Sequence, residues 1–432
     1  MKRSLLLLLI NLSLLPVVFA QEAQRGSNND RWYDNWTVKP ILGVQTWATY
    51  TFGHEDFDAD SGNYVSTSDR LNIMLRRLRF GTTAQVGDRL FIKFLGAADF
   101  VGTDQRAGTV GGENNGGFPN AQIWDVFAQY KLSRNTEGLY IVGGYLRPCI
   151  GRESMSGAFG VSSFEKMWTQ WYVRQHLVGT GPGGTGGIYL GGLKHLGEKV
   201  HVDYRGGVFN AQNNGISAGR ESSSLFAGRI NFMFGDAEND IWTYGLANAN
   251  SFGKRSTVAV ALNLATEGPT GAANDGIGLI GVDALINFRM FHAEGEYHYM
   301  TRGADGFEDY NTSTYGVRIG YSFALAGTGE DNRPSYLEPS VMVYGFNGTE
   351  DLSEYGAVVA TNYFGGTEQV IDFGLNYHLK PGKIRLSLHY VNMDGSPGAL
   401  PENGRLTWFN RQGGIGGIRR GDYVGAEVVL SY

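Results

Sequence analysis

The chain has 432 residues, a formal net charge of −6 and a single cysteine, Cys149. One cysteine excludes an intramolecular disulfide framework and any multi-cysteine metal site, and the acidic balance argues against general nucleic-acid binding. Sixty-four glycines beside 13 % aromatic residues suit twisted strands in close contact, with aromatic girdles at two interfaces.

Met1 to Ala20 reads as a secretory signal peptide. Lys2 and Arg3 form its positive end, Leu5 to Leu15 its short apolar core, and Val18-Phe19-Ala20 its cleavage site. Losing it takes the formal charge from −6 to −8. Residues 21–38 are expected to form a periplasmic N-terminal segment and residues 39–432 a membrane-embedded domain. Beyond the leader no apolar stretch is long enough to span a bilayer as a helix.

Sixteen short segments instead alternate apolar and polar residues. They lie near 40–52, 71–86, 89–100, 121–132, 138–148, 186–196, 199–210, 223–234, 254–265, 276–290, 291–300, 312–325, 336–346, 369–380, 383–391 and 421–432. A period of two is what a strand needs when one face meets lipid and the other water. The predicted fold class is therefore all-β: a transmembrane antiparallel β-barrel of about 16 strands, with long extracellular loops and short periplasmic turns. Gly87-Asp88 and Pro381-Gly382 carry turn chemistry for tight reversals. Residues 235–253 and 326–335 are links that fit the short class less well.

Several strands fix their own orientation. In 199–210, Val200, Val202, Tyr204 and Val208 oppose Lys199, His201, Asp203 and Arg205. In 291–300, Ala293, Gly295, Tyr297 and Tyr299 oppose His292, Glu294, Glu296 and His298. A basic residue facing mid-membrane lipid costs roughly 2–4 kcal/mol, so the ionic rows look into the lumen. In 71–86 the same argument turns Arg77 and Arg79 inward and leaves Arg76 on the lipid side. The expected lumen carries both signs: Arg77, Arg79, Lys93, Arg147, Arg205, Arg229, Arg289, Arg318 and Arg385, but also Asp99, Asp125, Asp203, Asp283, Glu294, Glu296, Asp372 and Glu427. Mixed signs predict weak charge selectivity.

Motifs for chemistry are missing. Gly179 to Gly184 satisfies GxGxxG as a string, but a strand follows it where a dinucleotide site needs a helix. Neither a nucleophile elbow, a zinc-protease helix, a P-loop nor a calcium-binding hand is present, and no catalytic residue, metal or cofactor is expected. The segment 149–185 stands apart, with Phe164, Trp168, Trp171 and Tyr172 beside Arg152, Glu153, Glu165, Lys166 and Arg174. Such apolar content needs cover. Folding into the barrel as a constriction is the favoured answer, and packing on a neighbouring subunit is the other.

Val142-Gly143-Gly144-Tyr145-Leu146-Arg147-Pro148-Cys149-Ile150-Gly151-Arg152-Glu153 resembles the stretch ahead of the constriction loop in the phosphate-selective porin O and P family of Gram-negative outer membranes. Residues 76–100 and 249–264 are similar to further stretches of that family, and the likeness spans most of the mature chain. The resemblance implies a sixteen-stranded, usually trimeric barrel through which small anions diffuse passively. The expected function is thus an outer-membrane porin for small hydrophilic solutes with a modest, phosphate-like anion preference. Its expected partners are outer-membrane lipid, small anionic or neutral solutes and two further copies of itself in a homotrimer, with no nucleic acid. The expected pore-lining and constriction residues are Arg77, Arg79, Lys93, Asp99, Asp125, Arg147, Arg152, Glu153, Lys166, Arg174, Arg205 and Arg229. The alternative is a non-conducting structural or adhesive barrel whose loops bind surface partners.

Overall fold

The computed structural model describes residues 33, 35–104, 121–210, 223–270, 275–325, 327, 334–351, 353–397, 406–407, 409–412 and 416–432. The leader 1–20 and most of 21–38 lie outside the described residues, and the wall begins at Trp36. Its strands are β1 Trp36–Phe52, β2 Arg70–Val86, β3 Leu90–Val101, β4 Gln122–Lys131, β5 Tyr140–Leu146, β6 Thr185–His195, β7 Val200–Phe209 and β8 Leu225–Gly235. The second half comprises β9 Thr257–Glu267, β10 Ile277–Phe288, β11 Phe291–Arg302, β12 Tyr310–Tyr321, β13 Ser335–Asn347, β14 Thr367–Lys380, β15 Ile384–Ser396 and β16 Asp422–Ser431. Phe323–Leu325 continues β12 past Ser322 in the same register against β13.

Each strand pairs antiparallel with the next, and β1 pairs with β16 from Gly43 opposite Ser431 to Phe52 opposite Asp422. The protein is therefore a closed, sixteen-stranded antiparallel β-barrel. Closure matters because an unpaired strand edge in hydrocarbon would leave a row of backbone groups without hydrogen-bond partners.

Side chains divide by the period of two. Along β9, Val258, Val260, Leu262 and Leu264 point outward with 44–58 % of their surface exposed, while Ala259, Ala261 and Asn263 are buried inward. On β16, Val424, Val428 and Leu430 face out, and Tyr423, Glu427 and Val429 face in. Exposed aromatic residues gather at the strand ends, with Trp36, Phe288, Tyr321 and Tyr432 at the short-turn rim and Tyr50, Tyr145, Tyr299 and Tyr390 toward the other. That placement is the girdle pattern of a membrane barrel.

One rim carries tight reversals. Gly87 (φ 55°) and Gly382 (φ 70°) take the left-handed backbone these turns require. At the opposite rim, the β1–β2 and β15–β16 connections pair as a small four-stranded sheet from segments 55–58, 63–66, 411–412 and 416–419.

Two facing assignments, Arg76 toward lipid and Arg289 toward the lumen, need correction. Arg76 does not face lipid. The register of β1 against β2 shifts by one residue, from Gln45 opposite Arg77 to Thr46 opposite Leu75, so Arg76 is the extra residue of a β-bulge. The bulge resets the alternation: Asn72, Met74 and Arg76 point inward before it, and Arg77 and Arg79 after it. Arg289, in turn, is exposed in the two-residue turn between β10 and β11, with φ 54°.

Candidate functional site

The connection between β5 and β6, residues 147–184, folds into the barrel. It contains two helices, α1 Arg152–Met155 and α2 Thr169–Val178. Its apolar residues fill niches in the wall. Phe164 stacks on Trp47 with centroids 4.2 Å apart and lies over Gly425 of β16; Met167 lies over Gly316 of β12. A Cβ at either glycine would overlap the loop side chain, so missing methyl groups make the seats. Polar wall groups tie down the loop backbone: Gly151 N–H donates to Asn263 Oδ1 (2.9 Å), Glu153 N–H to Glu296 Oε2 (2.9 Å) and Phe164 N–H to Asp372 Oδ2 (2.7 Å). These bonds satisfy donors that burial would otherwise strand.

A second segment enters from the opposite rim. The β8–β9 connection, residues 236–256, turns inward and buries Trp242, Tyr244 and Leu246. Trp242 stacks on Tyr140 at 4.9 Å, Gln129 Nε2 donates to the Trp242 carbonyl (3.2 Å), and Arg147 N–H donates to the Tyr244 hydroxyl (2.9 Å). The two segments meet where Leu246 N–H donates to the Met155 carbonyl at 3.3 Å. The only sequence signal for this was the pair of aromatics, Trp242 and Tyr244, in a link that fits the short class poorly.

What stays open is an off-centre cavity of about 1380 Å³ bounded by β1 to β4, both inward segments and residues 362–364, 406–407 and 411. Its lining holds eight basic side chains, Arg76, Arg77, Arg79, Lys93, Arg147, Lys166, Arg174 and Arg411, against two carboxylates, Asp99 and Asp125. The acids are shared. Asp125 receives Lys93 (3.1 Å) and Arg147 (3.2 Å), Asp99 receives Arg79 (3.0 Å), and Glu165, just behind the lining, receives both Arg76 and Arg77. Arg174 donates to Ser154 Oγ (3.0 Å) and the Ser154 carbonyl (2.7 Å) and has no carboxylate among its partners in the described residues. Lys166 Nζ is held by the carbonyls of Glu153 and Ser156. Burial, aided by nearby Arg174, Arg147 and Arg318, pushes its ammonium down to about 7.

Of the twelve residues expected at the pore, Arg77, Arg79, Lys93, Asp99, Asp125, Arg147, Lys166 and Arg174 surround this cavity. The other four lie outside it, in packed parts of the lumen. Arg152 pairs with Glu238 and Asp283, Glu153 with Arg318 (2.9 Å), Arg205 with Asp203 (2.8 Å) and Arg229 with Asp283 (2.6 Å). Arg385 with Glu427 (2.6 Å) and His389 with Asp372 (2.6 Å) continue the same packed region. The mixed signs read from the strands are thus separated in space: one-to-one pairs fill one side of the lumen, and cations in excess of the carboxylates they share line the other. Arg76 and Arg411 were not anticipated. Arg76 was hidden by the bulge, and Arg411 by its place in a long loop.

Ser162, His292 and Glu338 also meet inside the barrel, yet Ser162 Oγ (3.0 Å) and Glu338 Oε1 (2.7 Å) share the same imidazole nitrogen, Nε2. A proton relay needs the carboxylate on Nδ1, and His292 Nδ1 has no partner in the described residues.

No protein-family model matches the chain, and no curated protein does. Among solved structures it is similar to an anion-selective porin from Comamonas acidovorans, at 11 % identity and a TM-score of 0.52, over 92 % of this chain and 100 % of that one. It is also similar to OprB of Pseudomonas putida, at 8 % identity and a TM-score of 0.50, over 91 % and 94 % of the two chains. At these identities the likeness shows a shared fold, that of the outer-membrane porins.

Proposed function

We propose that this protein is a bacterial outer-membrane channel through which small hydrophilic solutes diffuse passively, with a preference for anions. The observation that carries the reading is the lining of the cavity, where eight basic groups face two carboxylates. In a narrow passage between low-dielectric walls, an excess of one sign raises the local concentration of the opposite ion. Fixed guanidinium and ammonium groups suit phosphate-like oxyanions as well as chloride.

The leader-like residues 1–20 support an exported state, and the resemblance to the phosphate-selective porins supports a homotrimer. The solved Comamonas porin, described as anion-selective, points the same way. Planar-bilayer recording of the detergent-purified protein under a potassium chloride gradient tests the reading. An ohmic conductance with a reversal potential displaced toward chloride is expected; a silent membrane or a cation preference contradicts it.

A further inference from the structure

The basic groups explain attraction of an anion, but eleven aromatic residues also line the cavity, six of them part-exposed: Phe91, Phe100, Trp124, Phe159, Trp171 and Phe364. A hydrated inorganic ion gains nothing from apolar ring faces, and leaving them wet has a cost. We propose that the solutes this channel favours are small aromatic carboxylates, with the carboxylate taken by Arg174 and the ring passing along Trp171 and Phe364. The inference rests on the channel reading and specifies its solute class.

Three features place the two halves of such a solute together. Trp171 and Arg174 both line the cavity from α2, three residues apart, which puts them side by side on one helix face, with Cβ atoms about 5–6 Å apart. Phe364, from the β13–β14 connection, meets Trp171 with centroids 4.8 Å apart and planes 37° apart, so rings from two segments form one apolar ledge. Arg174 has no carboxylate partner among the described residues, whereas Arg79, which covers Trp124 at 4.2 Å, is neutralised by Asp99. The ledge beside Arg174 is therefore where an uncompensated cation and open ring faces coincide. Face contacts of this kind are individually weak, which lets the solute leave.

The test compares benzoate with acetate in the full-length protein reconstituted into planar bilayers. Bi-ionic reversal potentials are read at a pH where both acids are ionised, with protein-free membranes as the baseline. The two anions carry equal charge, so their permeability ratio isolates the ring, and by size alone acetate passes faster. The expected result is benzoate outrunning acetate by about twofold or more, with the order returning to acetate first in Trp171→Ala/Phe364→Ala. If acetate passes faster in the native protein while chloride is still preferred over potassium, the aromatic-carboxylate assignment is wrong and the channel reading stands. If the native protein shows no anion preference at all, both fall.

Discussion

Substituting Arg174 by glutamine removes one cation that no carboxylate compensates while leaving a side chain able to hydrogen-bond Ser154. With Lys166 protonated, eight lining cations face Asp99, Asp125 and Glu165, so the constriction carries an excess of five positive charges. Taking about 6 Å between the guanidinium and a passing ion in water-like surroundings, that charge is worth about 0.7 kcal/mol. Screening at 0.1 M salt, where the Debye length is about 10 Å, lowers this to about 0.4 kcal/mol. The term favours anions and disfavours cations, so its loss acts twice on the chloride-to-potassium permeability ratio. A fall of about threefold to fourfold is expected at 0.1 M salt, approaching tenfold at low salt. Reversal potentials across a potassium chloride gradient read this directly. The control is Arg229→Leu with Asp283→Leu, which deletes a buried ion pair outside the cavity with no change of net charge and leaves Arg152, the other partner of Asp283, on Glu238. It should leave the ratio unaltered, since replacing such a pair by apolar groups is often tolerated. An unaltered ratio in Arg174→Gln, or an equal fall in the control, would refute the separation of the lumen into a matched and an unmatched side.

Other perturbations probe the rest of the reasoning. Lys166 is cationic below about 7 and neutral above it, so anion preference should be higher at pH 6 than at pH 8, and Lys166→Met should flatten that dependence in the same recordings. Gly425→Leu drives a side chain into the seat of Phe164; overpacking of this kind costs about 1–3 kcal/mol, and a loosened loop should raise single-channel conductance. Trp242→Ala deletes a buried ring, a change that typically costs about 3–5 kcal/mol, and should widen the passage from the other rim, again read as conductance. On the lipid face, Leu388→Arg should lower folding stability in lipid vesicles by about 2–4 kcal/mol by urea titration. A cost no larger than that of Leu388→Ala would argue against a membrane-facing exterior.

The wall of this protein is written locally. Hydrocarbon outside and water or polar groups inside impose a period of two on every strand, so β9, β11 and β16 disclose their outward and inward faces without reference to any neighbour. Short turns with glycine or proline punctuate them, and an even number of such segments closes. The apolar content of residues 149–185 likewise signals a need for cover.

The channel itself depended on contacts distant in sequence. A single extra residue at Arg76 reverses the alternation of β2, and only the partner strand reveals it. The inward course of 236–256 follows from what it meets, Tyr140 and Met155, which lie far away along the chain. Charge behaves the same way. A residue count leaves acids and bases mixed, but pairing is decided by proximity, and proximity consumed Arg152, Arg205 and Arg229 in buried pairs while sparing Arg174. The sequence alone determined which side of each ribbon meets lipid, because that depends on one residue and its solvent. The tertiary structure decided which charges a solute meets, because an ion's influence depends on what stands beside it.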